Sequence, residues 1–137
     1  MPGYAYVDAS AIVKLVVAEP ETAALERDLA DRDALLSSRL SAAEVLRATR
    51  RGAPRRVLQQ AEEVLDSIVF VEITPAILKR AASFEPAELR TLDAIHLATA
   101  LSLDTTDMEF LTYDARLASA ARAQGLSVRA PRRRSVT

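Results

Sequence analysis

Four carboxylates, Asp8, Glu44, Asp93 and Asp114, carry the chemistry open to this chain. They lie far apart in sequence, each at or near the end of a segment patterned as a strand or the start of a helix. Brought to one crevice they would repel: two like charges about 4 Å apart at an effective dielectric of 20 cost roughly 4 kcal/mol. A helix N-terminus offsets only about 0.3–1 kcal/mol. Such a cluster needs protons or a cation. The chain has no cysteine and one histidine, so the donors are all oxygens. That set favours a hard ion, Mg²⁺ with Mn²⁺ as the alternative, over zinc. An ion held there polarises a phosphoryl oxygen and lowers the pKa of bound water, which suits hydrolysis of a phosphodiester. Taken singly, each acid has an ordinary role: Asp8 in an Asx turn, Glu44 in a capping box with Ser41, Asp93 as a charge at a helix start, Asp114 as an N-cap. The functional reading rests on their convergence.

Periodicity supplies the elements that would bring them together. Short apolar, β-prone runs at 4–7, 34–37, 68–73, 109–113 and 126–129 read as strands. Helical spacing marks 10–17, 21–29, 41–51, 54–67, 75–82, 91–103 and 115–124, with Pro54 and Pro75 at helix starts and Gly52 and Gly125 at helix ends. The run 91–103 is the most buried-looking of the helices. Strands alternating with helices predict an α/β fold with a mainly parallel central sheet flanked by helices on both faces. In such a sheet the ligand crevice lies beyond the carboxyl ends of the strands, where Asp8 and Asp114 fall. Glu44 and Asp93 each fall in the first turn of a helix able to face it.

Composition narrows the alternatives. Of 137 residues half are apolar, and the aromatics are three tyrosines and three phenylalanines, so a core of aliphatic packing is expected. One domain over 1–131 is expected, with 132–137 a frayed basic tail. Absence of cysteine, of a leader pattern and of a long apolar run points to the cytoplasm and to no membrane partner. Three scattered glycines exclude a phosphate loop or dinucleotide fingerprint. A phospho-acceptor receiver domain would need a lysine near the end of the last strand, and the lysines are Lys14 and Lys79. A non-catalytic interaction module is the other alternative. Net charge is −1, but residues 47–56 hold five arginines and no acid, while 84–114 hold seven acids and Arg90 alone. Arg47 and Arg51 follow Glu44 by three and seven residues, so on one helix they would lead a basic track away from the acids. Asp104 and Asp107 read as solvated loop residues, and His96, in an apolar helix, as a hydrogen-bonded structural residue. Tyr113 is the one aromatic placed near the acids.

The segments Val7-Asp8-Ala9-Ser10-Ala11-Ile12-Val13-Lys14-Leu15, Ser41-Ala42-Ala43-Glu44, Leu92-Asp93-Ala94-Ile95-His96-Leu97-Ala98-Thr99-Ala100 and Phe110-Leu111-Thr112-Tyr113-Asp114-Ala115-Arg116-Leu117 resemble those of PIN-domain ribonucleases, specifically the VapC toxins of bacterial toxin–antitoxin pairs. The resemblance implies a metal-dependent endoribonuclease acting on RNA, often a homodimer, silenced by a small VapB-like antitoxin. It implies that Asp8, Glu44, Asp93 and Asp114 bind the Mg²⁺ or Mn²⁺ and serve catalysis. Ser10 and Thr112 would hydrogen-bond beside the first and last acids. Arg47 and Arg51 are candidate contacts for RNA or antitoxin.

Overall fold

The computed structural model describes residues 3–132. Five strands form one sheet: β1 (Tyr4–Val7), β2 (Ala34–Ser38), β3 (Ile68–Val71), β4 (Met108–Leu111) and β5 (Val128–Arg129). Their order is β3-β2-β1-β4-β5, and every pairing is parallel, with Tyr4 of β1 in register with Ala34 on one side and Met108 on the other. Seven helices are described: α1 (Ala9–Val16), α2 (Thr22–Ala30), α3 (Leu40–Arg50), α4 (Arg55–Asp66), α5 (Pro75–Ala82), α6 (Thr91–Leu101) and α7 (Ala115–Ala123). The expected order of elements holds throughout. Of the expected basic tail at 132–137, Arg132 is exposed and the remainder lies outside the described residues.

The central strand shows why both faces are covered. Ala5 and Val7 pack with Ala11 and Ile12 of α1, Leu25 of α2, Val45 of α3 and Leu65 of α4, whereas Tyr6 points the other way, toward Leu97 of α6, Phe110 of β4 and Leu117 of α7. A strand buried on both faces reads as a continuous apolar run. Helix α6 is the most enclosed of the helices, buried from Ala94 through Ala100, as its composition indicates. The sheet order places a topological switch between β1 and β4. From β1 the chain builds outward through β2 and β3, then returns to add β4 and β5 on the opposite side, opening a crevice beyond the ends of the two middle strands.

Most elements end within one or two residues of expectation, and three of the shifted boundaries have a local cause. Strand β3 stops at Val71 because Glu72 turns outward to Arg39 and Thr74 already caps α5, accepting from Ile77 N–H. Helix α6 stops at Leu101, where the Ser102 N–H closes on the carbonyls of Ala98 and Thr99. Helix α3 starts at Leu40 with Arg39 as N-cap, one residue early. Ser41 therefore sits inside the first turn, fully buried, its hydroxyl 2.6 Å from that of Ser37. It cannot cap, and the expected Ser41–Glu44 capping box does not form. At the other end Arg51 has left the helix in an extended conformation, and Gly52 takes the left-handed one (φ 68°) that favours glycine.

Candidate active site

Asp8 leaves β1 and caps α1. One of its oxygens, Oδ1, accepts from Ala11 N–H (3.0 Å) and from the Ser10 hydroxyl (2.7 Å), while Oδ2 accepts from the Thr112 hydroxyl (2.6 Å). The residue is 4% exposed. Burial pushes its carboxyl above the ordinary aspartate range, against the pull of Ser10, Thr112 and Ala11, with the His96 ring a further lowering influence. Thr112, just past β4, also accepts from Asp114 N–H (3.1 Å), and the Ser10 hydroxyl accepts from Tyr113 N–H (3.0 Å). Two hydroxyls thus tie the ends of β1 and β4 together across the switch point.

Asp114 divides its two oxygens between local and distant tasks. Oδ1 caps α7 by accepting from Arg116 N–H (2.9 Å) and Leu117 N–H (3.2 Å), and Oδ2 faces the Arg90 guanidinium at 3.2 Å. Its expected N-cap role is met, with the second oxygen left over. Arg90 also lies 3.4 Å from Asp93 Oδ2, so one exposed cation spans the two acids. Burial raises Asp93, the Asp114 charge raises it further, and Arg90 and His96 offset part of this. Arg90 was not singled out as a site residue by its sequence context; the signal for it was its solitude in an acidic stretch.

Glu44 turns away from its own helix start. Its Oε1 lies 2.7 Å from His96 Nε2 on α6, so the contest between capping and the crevice goes to the crevice. Glu44, Arg90 and Asp93 line a common pocket of about 250 Å³, with Thr91 and Leu92 completing it. Arg47 is exposed one turn further along α3, and Arg51, having left the helix, no longer continues that stripe. Tyr113 is already engaged: its hydroxyl donates to the Pro131 carbonyl and Lys14 Nζ lies 4.7 Å from the ring centroid. Asp104 and Asp107 are exposed loop residues, bonded to Thr106 N–H and Gly3 N–H.

The fold thus joins Asp8 to Ser10 and Thr112, Asp93 to Asp114 through Arg90, and Glu44 to His96. Among the described residues no three acids or histidines stand close enough to enclose a metal ion as placed. The donor chemistry nonetheless fits a hard divalent cation: four carboxylates, hydroxyl support, two carboxyls raised by burial, and a guanidinium balancing charge where a cation is wanted.

Comparison with known proteins gives concordant findings. The family model described as PIN domain matches residues 5–123. Ribonuclease VapC46 of Mycobacterium tuberculosis is 43% identical over 132 residues, covering 92% of this chain and 96% of the relative. Ribonuclease VapC47 of the same species is 34% identical over 130 residues, with the same coverages. Among solved structures, VapBC2 from Rickettsia felis, bound to a DNA fragment from its promoter, aligns with a TM-score of 0.69 at 10% identity, over 93% of this chain and 98% of that one. VapC20 of Mycobacterium tuberculosis, a Sarcin-Ricin loop cleaving toxin, aligns with a TM-score of 0.68 at 17% identity, over 85% and 94%.

Proposed function

The chain belongs to the PIN-domain family, and from that premise we propose that it is a divalent-metal-dependent endoribonuclease, the toxin of a pair with a small VapB-like antitoxin. Relatives named Ribonuclease VapC, aligned over nearly the whole chain, support RNA as the substrate. Likeness to VapBC structures supports the antitoxin partner. Among the described residues no helix is long and apolar enough to cross a membrane, in keeping with the cytoplasm as the place of action.

One observation carries the reading. Asp8 and Asp114 stand on either side of the β1/β4 switch point, coupled through the Thr112 hydroxyl, with Asp93 drawn to Asp114 by Arg90. Asp8, Asp93, Asp114 and Glu44 would hold Mg²⁺ or Mn²⁺, which when bound polarises a phosphoryl oxygen and makes water a stronger nucleophile. Ser10 and Thr112 keep the Asp8 carboxylate in one orientation. The N–H groups opening α7 do the same for Asp114, leaving Oδ2 to face Arg90. Arg90, which lines the pocket, and Arg47, exposed one turn beyond Glu44 on α3, supply positive charge for the RNA backbone.

Purified, partner-free protein should cleave single-stranded RNA in Mg²⁺, lose that activity in EDTA, and lose it on Asp93→Asn with the fold intact by circular dichroism. Cleavage that persists in EDTA, or full activity of the Asp93→Asn variant in excess Mg²⁺, would exclude this assignment. A protein with no metal-dependent cleavage of any RNA would instead be a silent interaction module on the same fold.

A further inference from the structure

The single histidine of the chain lies outside the set of metal-facing acids yet touches one of them. His96 is 1% exposed, on α6, one turn after Asp93. Both ring nitrogens are engaged: Nε2 lies 2.7 Å from Glu44 Oε1, and Nδ1 lies 2.9 Å from the Tyr6 hydroxyl. Neither lone pair nor proton is left for a substrate, so the ring has no place as a general base. The question is what holding Glu44 in this way accomplishes.

The direction of each hydrogen bond follows from its neighbours. The Tyr6 oxygen accepts from Ser38 N–H at 3.1 Å, which leaves its own proton to be donated onward. At the far end the Glu44 carboxylate can only accept, so the proton between it and the ring belongs to His96 Nε2. In the neutral ring Nδ1 is then the acceptor, and Tyr6 donates to it. The phenol itself cannot reorient: it stacks on Phe110 at 5.1 Å between centroids and 5° between planes, and meets the imidazole edge-on at 6.0 Å. The relay Ser38 N–H, Tyr6, His96, Glu44 runs from the sheet core outward to the crevice.

We propose that His96 is a positioning residue for Glu44, its Nε2–H tautomer set by Tyr6, so that the Glu44 carboxylate is held toward the crevice for a divalent cation. The relay crosses three of the four elements that bear the acids: β1, two residues before Asp8; α6, which carries Asp93; and α3, which carries Glu44. One line of hydrogen bonds thereby ties together three elements that carry or adjoin these acids, and it ends on Glu44. It also accounts for where Glu44 turns: the N–H groups of Arg39 and Leu40 are already taken by the Val71 carbonyl and the Ser38 hydroxyl, while His96 Nε2 lies 2.7 Å away. The inference rests on reading Glu44 as a member of the metal-facing set.

Two variants separate positioning from mere packing. Glutamine places an amide N–H near the Nε2 position, whereas asparagine places one near Nδ1 and stops short of Glu44. The test uses the full-length protein and Mn²⁺ itself, with affinity read by electron paramagnetic resonance. His96→Asn should weaken Mn²⁺ binding by ~10-fold, the scale for groups that orient metal ligands, and His96→Gln should bind close to wild type. Long-range ¹H–¹⁵N spectra of the lone histidine, in metal-free protein, should show the Nε2–H tautomer. Tyr6→Phe should blur it into a mixture, which gives a second reading should His96→Asn fail to fold. An Nδ1–H tautomer, equal Mn²⁺ affinity in all variants, or no Mn²⁺ binding by the wild type would each overturn the proposal. Failure of the nuclease reading would look different: the expected tautomer and the graded Mn²⁺ affinities would stand while wild-type protein cut no RNA.

Discussion

At the scale of single residues, the buried Asp8 and the half-buried Asp93 give the metal-free protein a definite pH dependence. Asp8 and Asp93 are both raised above the ordinary aspartate value, by burial first, with the charge of Asp114 adding at Asp93. Between that ordinary value and the raised ones, the folded state holds protons that the unfolded chain has released. Stability is therefore full below the ordinary aspartate range and falls as pH rises through the raised values. Thermal midpoints of metal-free protein should decline across that window, and saturating Mg²⁺ should flatten the decline. The two asparagine variants should differ. Asp93→Asn removes a charge facing Asp114 while retaining the side-chain shape, so it should raise the metal-free midpoint and abolish cleavage. Asp8→Asn should abolish cleavage with no gain in midpoint. Its carboxylate accepts three hydrogen bonds, from Ser10, Ala11 and Thr112, and an amide nitrogen in place of either oxygen accepts none of its share. A midpoint for Asp8→Asn above that of Asp93→Asn would contradict this account.

At the scale of elements, both strand-end acids double as helix caps, and Asp114 shows how one side chain can serve both ends. Its Oδ1 takes the first N–H groups of α7 and its Oδ2 faces Arg90. Asp114→Asn should therefore keep α7 capped and lose activity, whereas Asp114→Ala should lose both. The alanine variant should cost about 1 kcal/mol more than asparagine in urea denaturation; equal midpoints would show the cap to be idle. The helices themselves were largely legible, because punctuation such as Pro75, Gly52 and Gly125 and the 3.6-residue spacing are local signals. The placing of Asp8 and Asp114 just beyond the neighbouring strands β1 and β4 was legible from the alternation of strand and helix, which puts a crevice at strand ends. Glu44 was not. The Ser-x-x-Glu pattern says nothing about which residue opens the helix, and a start one position earlier buried Ser41 and freed Glu44. The partner that claims it, His96, lies 52 residues away in sequence. Arg90 was hidden for a related reason, since its role comes from Asp114, 24 residues on.

At the scale of the whole molecule, the crevice depends on β4 keeping its place beside β1, and a buried ion network holds that side of the sheet to the helical layer. Asp28 of α2 pairs with Arg32 at 2.7 Å and with Arg129 of β5 at 2.9 Å, while Arg32 also reaches Glu109 of β4 at 2.7 Å. The Arg32 and Asp28 side chains are 4% and 7% exposed, so their charges are compensated by one another rather than by water. Truncating one member of such a group leaves its partners charged and dry. Arg32→Ala should cost about 3 kcal/mol, toward the low end for breaking a buried pair, because Arg129 still neutralises Asp28 and Glu109 keeps some access to water. The Arg39–Glu72 pair is the control. It has the same 2.7 Å separation, but its side chains are 53% and 66% exposed, and solvent and salt screen it. Arg39→Ala should leave the urea midpoint unchanged within error, even though it removes an ion pair of equal length. Metal titration of the Arg32→Ala variant at a temperature where it remains folded then separates stability from site geometry. If the network serves only to hold the sheet together, Mn²⁺ affinity should match wild type. If it also sets the position of β4, affinity should fall together with cleavage while Arg39→Ala retains both.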